Sequence, residues 1–216
     1  MEELTLDPAR PDLPEAVAYA DGSVYPNPGG PGGWGVVLLL GDRVDRLCGG
    51  EPSTTNNRME LRAVIEALRA LISPHRVTIY TDSEVTQRCI CGVYRRAANL
   101  DLWREFGEAA RPHEVEAIHV RGHRDLWKVP EAERTSARLQ AEADNLAAQG
   151  RLLSANGLMV RFHYHTRSGV CPCGRAEEAR LAEGQERYCG HCPCGILHVG
   201  RKFTDLHLGG VAIQRV

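Results

Sequence analysis

Seven of the eight residues from Pro26 to Gly33 are Gly or Pro, a composition that breaks regular structure. The run just before it, Val17-Ala18-Tyr19-Ala20, is strand-like and ends in Asp21. The chain therefore brings a carboxylate to the end of a strand and must reverse soon after. What that arrangement is for depends on whether other carboxylates come to meet it.

The rest of the first 150 residues alternates strand and helix signals. Strands are expected at about 16–21, 34–40 and 44–49, with Gly41-Asp42 as a hairpin turn. Leu61, Val64, Ile65, Leu68, Leu71 and Ile72 recur at helical spacing, and Pro74 stops that helix. Val77–Thr81 is a further strand with Asp82-Ser83 at its end, followed by two short helices. Val115–Arg121 suggests another strand, and Glu131–Gln149 a long helix that Gly150 terminates. The order βββαβααβα implies an α/β fold: an antiparallel meander extended by parallel strands, with helices on both faces.

Residues 151–216 differ in character, with short β-like runs (158–165, 195–199, 211–216) and five of the eight cysteines. Lys and Arg number 17 against 23 Asp and Glu in residues 1–150, a net of −6, and 9 against 5 in residues 151–216, a net of +4. The expected division is a flexible lead at 1–15, an α/β domain at 16–150 and a Cys-rich module at 151–216. No apolar run is long enough to span a membrane. The acidic, Pro-containing start resembles no targeting peptide, so a cytoplasmic protein is expected.

Four acidic residues stand at telling places: Asp21 and Asp82 at strand ends, Glu60 in the first turn of the first helix and Asp144 inside the last. Ligand sites of open α/β sheets form at such strand ends. Each residue also has a plain structural reading. Asp21 fits a turn, Glu60 a capping box with Asn57, Asp82-Ser83 a helix cap, and Asp144 a solvated helix surface. Taken together, four carboxylates that converge must be neutralised by cations, and an all-oxygen set selects Mg²⁺ or Mn²⁺. Two such ions can drive phosphodiester hydrolysis.

The segments "DGSVYPNPGGPGGWG", "TTNNRMELRAVIEAL", "IYTDS", "VRGH" and "AEADNLA" resemble, in order, those of type 1 ribonuclease H. The resemblance covers roughly residues 16–150. It implies a ribonuclease H-like mixed five-stranded sheet flanked by helices. It also implies endonucleolytic, metal-dependent hydrolysis of the RNA strand of RNA–DNA hybrids by two ions. Asp21, Glu60, Asp82 and Asp144 fall on the family's metal-binding positions, and His123 on its loop histidine, suited to carrying protons. Gly22, Asn27, Asn56 and Asn57 match positions that read 2′-hydroxyls and adjacent bases, and the Gly-rich stretch suggests room for a nucleic acid to approach. Arg58 would contact phosphate, or be a solvated helix-start residue. Three departures stand out: a longer gap between His123 and Asp144, Gln140 where the family generally has Asn, and no basic helical handle around Arg95 and Arg96. A ribonuclease H-fold nuclease acting on DNA, and a catalytically silent nucleic-acid-binding module, are the alternatives.

Cys171-Pro-Cys173 and Cys189-Gly-His-Cys192-Pro-Cys194 can meet as the two knuckles of a Cys₄ zinc site. Cys171, Cys173, Cys189 and Cys192 are the expected ligands, with Cys194 or His191 as substitutes. An iron–sulfur cluster and free cysteines are the rivals. Cys48, Cys89 and Cys91 are expected to be buried thiols, and the protein a monomer.

Overall fold

A computed structural model describes residues 13–122, 125–155, 161–165 and 197–198. Strands β1 (Glu15–Val24), β2 (Gly32–Leu40) and β3 (Arg43–Glu51) form the meander, followed by helix α1 (Asn56–Arg69). Then come β4 (Arg76–Thr81), α2 (Glu84–Ile90), α3 (Leu100–Ala110), β5 (Glu114–His119) and the long helix α4 (Glu131–Ala155). Two short strands, β6 (Arg161–His165) and β7 (Leu197–His198), complete the described elements. The sheet order is β5-β4-β1-β2-β3-β6-β7. Its first five members are the expected mixed sheet: β1 pairs antiparallel with β2 and parallel with β4, and β4 parallel with β5.

The sheet separates two cores because successive residues of a strand point to opposite faces. On one face Ala16, Ala18 and Ala20 of β1 meet α1, whose Leu61, Val64, Ile65 and Leu68 are at most 1% exposed. Full burial of such side chains stabilises by about 1.5–3 kcal/mol each. Trp103 and Phe106 of α3 close the same core, with ring centroids 5.4 Å apart. On the other face Tyr19, Val37 and Cys48 pack against Ala143, Leu146 and Leu153 of α4. Tyr19 stacks on Tyr80 there at 4.8 Å.

Several expectations need correction. Gly150 does not end the last helix; α4 continues to Ala155. A Cβ at Gly150 would lie 2.1 Å from the Gly49 carbonyl oxygen, so this glycine lets the helix rest on β3 rather than stopping it. Leu153 and Ser154, beyond it, are buried. The helix α1 ends at Arg69, well short of Pro74, and Ile72 is exposed. The strand β5 ends at His119, two residues before Arg121, and β1 already begins at Glu15. The expected five-stranded sheet is present and is extended at the β3 edge, where β6 pairs antiparallel with β3, with Gly49 opposite Arg161, and β7 parallel with β6. Residues of the expected C-terminal module therefore share the sheet of the main body. Cys48 and Cys89 are buried, whereas Cys91 is exposed. Cys171, Cys173, Cys189, Cys192, Cys194 and His191 lie outside the described residues, as does the run at 211–216.

Candidate active site

The parallel β1–β4 pairing ends with Ala20 opposite Thr81, so the next residues, Asp21 and Asp82, stand at the same end of that pairing. Asp21 does not end its strand as expected, because β1 runs on beside β2 to Val24. On the other side of Asp21, β2 runs antiparallel, which makes this end a switch point of strand direction. Asp82 is not the cap of α2: the Ser83 hydroxyl oxygen accepts the Thr86 N–H at 3.3 Å and does that work. Asp82 is thereby left for the cleft.

Glu60 comes from the second turn of α1, not the first. The residue preceding the helix is Thr55, whose carbonyl accepts from Arg58 and Met59 N–H, so the capping-box reading with Asn57 does not hold. The helix presses on β1 where Gly22 stands. A Cβ on Gly22 would come within 2.4 Å of the Glu60 backbone nitrogen. The Gly22 backbone N–H and the Asn56 amide both donate to the Glu60 carboxylate, the latter at 3.2 Å to Oε1.

Asp21, Glu60 and Asp82 each offer a carboxylate oxygen, and these lie within 4.8 Å of one another. Asp144 of α4 lines the same open cleft, of about 440 Å³, together with Gly22, Asn56, Asn57 and Ser83. Asp21 and Glu60 are each only 4% exposed. Burial, then the charges of Glu60 and Asp82, a hydrogen bond to Asp82 and the charge of Asp144 push the Asp21 carboxyl up to about 10. Burial and the Asp82 charge likewise raise Glu60 well above the carboxylate range, against the two hydrogen bonds that hold its charged form. Glu60 Oε2 is buried with no hydrogen-bond partner among the described residues. A crowded, partly desolvated set of oxygen donors with an orphaned oxygen fits a hard divalent cation.

The other expected site residues fall around this cluster. The Asn27 side-chain oxygen accepts the Asn56 N–H at 3.2 Å, tying the Gly/Pro turn to the start of α1. Asn57 is exposed at the cleft wall. Arg58 is committed elsewhere, since its fork grips Asp101 of α3 at 3.0 and 2.6 Å. That grip holds the Asp101 carboxyl down to about 2. His123 lies outside the described residues. The Gly-rich stretch works mostly inside the fold rather than as open space for a nucleic acid. Cβ atoms at Gly33 and Gly35 would strike the backbone of α4 at 2.1 and 2.2 Å, whereas Gly29 has nothing within 4 Å.

Sequence reasoning missed Gly122. A Cβ there would sit 1.9 Å from Asp82 Oδ2, so the loop after β5 runs directly against this carboxylate. The adjoining His123 was the signal that could have found it. Gln140 is 3% exposed, and its amide donates to the Ala20 carbonyl at 3.4 Å, next to Asp21.

A family profile described as RNase H matches residues 14–151. The Ribonuclease H of Symbiobacterium thermophilum is 45% identical, over 52% of this chain and 85% of its own length. That of Cupriavidus metallidurans is 46% identical, over 51% of this chain and 85% of its own. Among solved structures, the chain is similar to LC9-RNase H1, described as a type 1 RNase H with the type 2 active-site motif. That likeness has a TM-score of 0.52 and 31% identity, over 66% of this chain and 74% of the other. The clustered carboxylates at a strand-direction switch, the fold around them and these relatives lead to one conclusion: the chain belongs to the ribonuclease H family of enzymes.

Proposed function

We propose that this enzyme cleaves the RNA strand of RNA–DNA hybrids endonucleolytically, using two Mg²⁺ or Mn²⁺ ions held by Asp21, Glu60, Asp82 and Asp144. The observation that carries the reading is the convergence of three carboxylate oxygens within 4.8 Å, two of the residues being buried. Bound divalent ions supply an activated water and stabilise the leaving oxygen of the phosphodiester.

The protein's own part is positioning. Asn56 and Gly22 hold Glu60 with its charged oxygens turned to the cleft, and Gly122 backs Asp82. The packing of α4 on β2 delivers Asp144. His123, which follows Gly122 in the sequence, is proposed to carry a proton during product formation or release. Asn57, with Gly22, Asn27 and Asn56, is proposed to meet 2′-hydroxyls in the shallow minor groove, where an amide can both donate and accept. For Arg58 to reach a phosphate it must first release Asp101, so its proposed contact is the weakest of this set.

We further propose a structural zinc in the tail on Cys171, Cys173, Cys189 and Cys192, a monomeric state and a cytoplasmic location. No helix among the described residues is long and apolar enough to cross a membrane. The deciding experiment incubates labelled hybrid, double-stranded RNA and DNA duplex with the protein in Mg²⁺, Mn²⁺ or chelator. The proposal expects metal-dependent loss of the RNA strand of the hybrid alone, and cleavage of the DNA duplex would overturn it.

A further inference from the structure

The chain has three tryptophans, and they divide sharply. Trp34 and Trp103 are 4% and 9% exposed, whereas Trp127 is 95% exposed. Tryptophan carries a broad apolar face and a polar N–H, the combination that enriches it at contact surfaces. Trp127 is not on a loose tip. It sits in a short 3₁₀ helix, Leu126–Lys128, whose turn is closed by Asp125. The Asp125 side chain accepts the Trp127 N–H at 3.2 Å, and its carbonyl accepts the Lys128 N–H at 2.9 Å. The next residue, Val129, is 3% exposed and anchors the segment. The backbone is therefore held while the indole stands clear.

Its place relative to the carboxylates follows from chain length. Gly122 touches Asp82, and Trp127 is five residues further on. Five residues of extended chain reach at most roughly 18 Å. At about 3.4 Å per base step, that distance is about five base pairs of bound duplex. The neighbouring Lys128 side chain is 84% exposed and pairs with Asp125 at 3.1 Å. The body it belongs to is acidic, with a net of −6 over residues 1–150 (17 Lys and Arg against 23 Asp and Glu). General charge attraction cannot supply affinity for a polyanion there, so local contacts must. An indole supplies one through stacking, and stacking needs an unpaired base, because duplex bases already cover one another.

We propose that Trp127, with the adjacent Lys128, is a stacking platform for an unpaired base where a hybrid segment gives way to single strand. The platform engages a junction within about five base pairs of the cleavage point. This rests on the hybrid-cleaving reading, and the test keeps the two apart.

Trp127→Ala, Trp127→Phe and the unchanged protein are compared on a blunt hybrid and on the same hybrid with a single-stranded tail. KM and kcat are measured in Mg²⁺, and intrinsic fluorescence is titrated with the tailed hybrid in chelator. Because the other two tryptophans are buried, the quench reports on Trp127. The expected result is quenching of the unchanged protein and a KM for the tailed hybrid raised about fivefold or more in Trp127→Ala. The Phe variant recovers most of the loss, and kcat and the blunt-hybrid KM stay constant. Equal KM on the tailed hybrid, absence of quenching, or the same loss on the blunt hybrid would each overturn the platform. Failure of the unchanged protein to cleave any hybrid would instead strike the functional reading, while the quench would still report on stacking.

Discussion

Asp21 and Gly35 face each other across the β1–β2 ladder, on the side of the sheet that α4 covers. A Cβ on Gly35 would lie 2.2 Å from the Ala143 carbonyl oxygen, one residue before Asp144. The bare backbone at Gly35 is thus what lets a helix carboxylate approach a strand carboxylate. Gly35→Ala should push α4 outward, at a cost of about 1–3 kcal/mol. Denaturant melts should show that loss, and kcat should fall even where the protein is fully folded. An unchanged melt would mean that α4 adapts without strain.

Asp21→Asn and Asp82→Asn should each abolish hybrid cleavage, because each removes a charged ligand from the proposed ion site. Full activity of either would remove that residue from the assignment.

Proton linkage gives a separate test on the metal-free protein. In the folded protein the Asp21 carboxyl is pushed up to about 10, far above the ordinary aspartate range, mainly by burial. A carboxyl shifted upward favours folding while protonated. Its contribution is therefore fully present below about pH 4 and is lost as pH rises towards about 10. In chelator, unchanged protein should lose stability relative to Asp21→Asn as pH is raised across that window, and added Mg²⁺ should close the gap. Thermal melts over a pH series measure it; a constant difference between the two proteins would contradict the buried-charge account.

Asn56 and Asn57 should behave differently although they are adjacent. Asn57 is exposed, so Asn57→Ala should raise KM for the hybrid about 5- to 150-fold, the equivalent of about 1–3 kcal/mol if a polar partner is left unpaired, with kcat held. Asn56 also orients Glu60, so Asn56→Ala should lower kcat as well. DNA-duplex affinity, measured in parallel, should change little. Equal weakening on both duplexes would make the pair structural.

Truncations should locate the end of the folded body. A chain ending at Gly150 loses the buried Leu153 and Ser154 and should melt lower than one ending at Ala155. Both expose the β3 edge that β6 covers, which favours association. If the basic tail binds substrate, the chain ending at Ala155 should keep near-normal kcat with raised KM and a shallower salt dependence. An unchanged salt slope would leave the tail as a cover for the sheet. Elemental analysis of the full chain should find about one zinc, and iron in its place would reject the zinc assignment.

Local order was legible from the sequence for physical reasons. Strand and helix periods and the Gly/Pro break are properties of neighbouring residues, and they placed β1 to β5 and α1. Asp82 was legible at the end of β4, whereas Asp21 lies within β1, which runs on to Val24 because β2 pairs with it. The resemblance then grouped Asp21, Glu60, Asp82 and Asp144. Only the tertiary structure decided relations between distant residues. The same glycine type that usually ends a helix lies within α4 at Gly150, because Gly49 of another strand must come close. Arg58 looks free for phosphate until α3 brings Asp101 to it. The Gly-rich stretch looks open until α4 fills the space above Gly33 and Gly35. Close approach is a property of pairs far apart in the chain, and a one-dimensional pattern does not carry it.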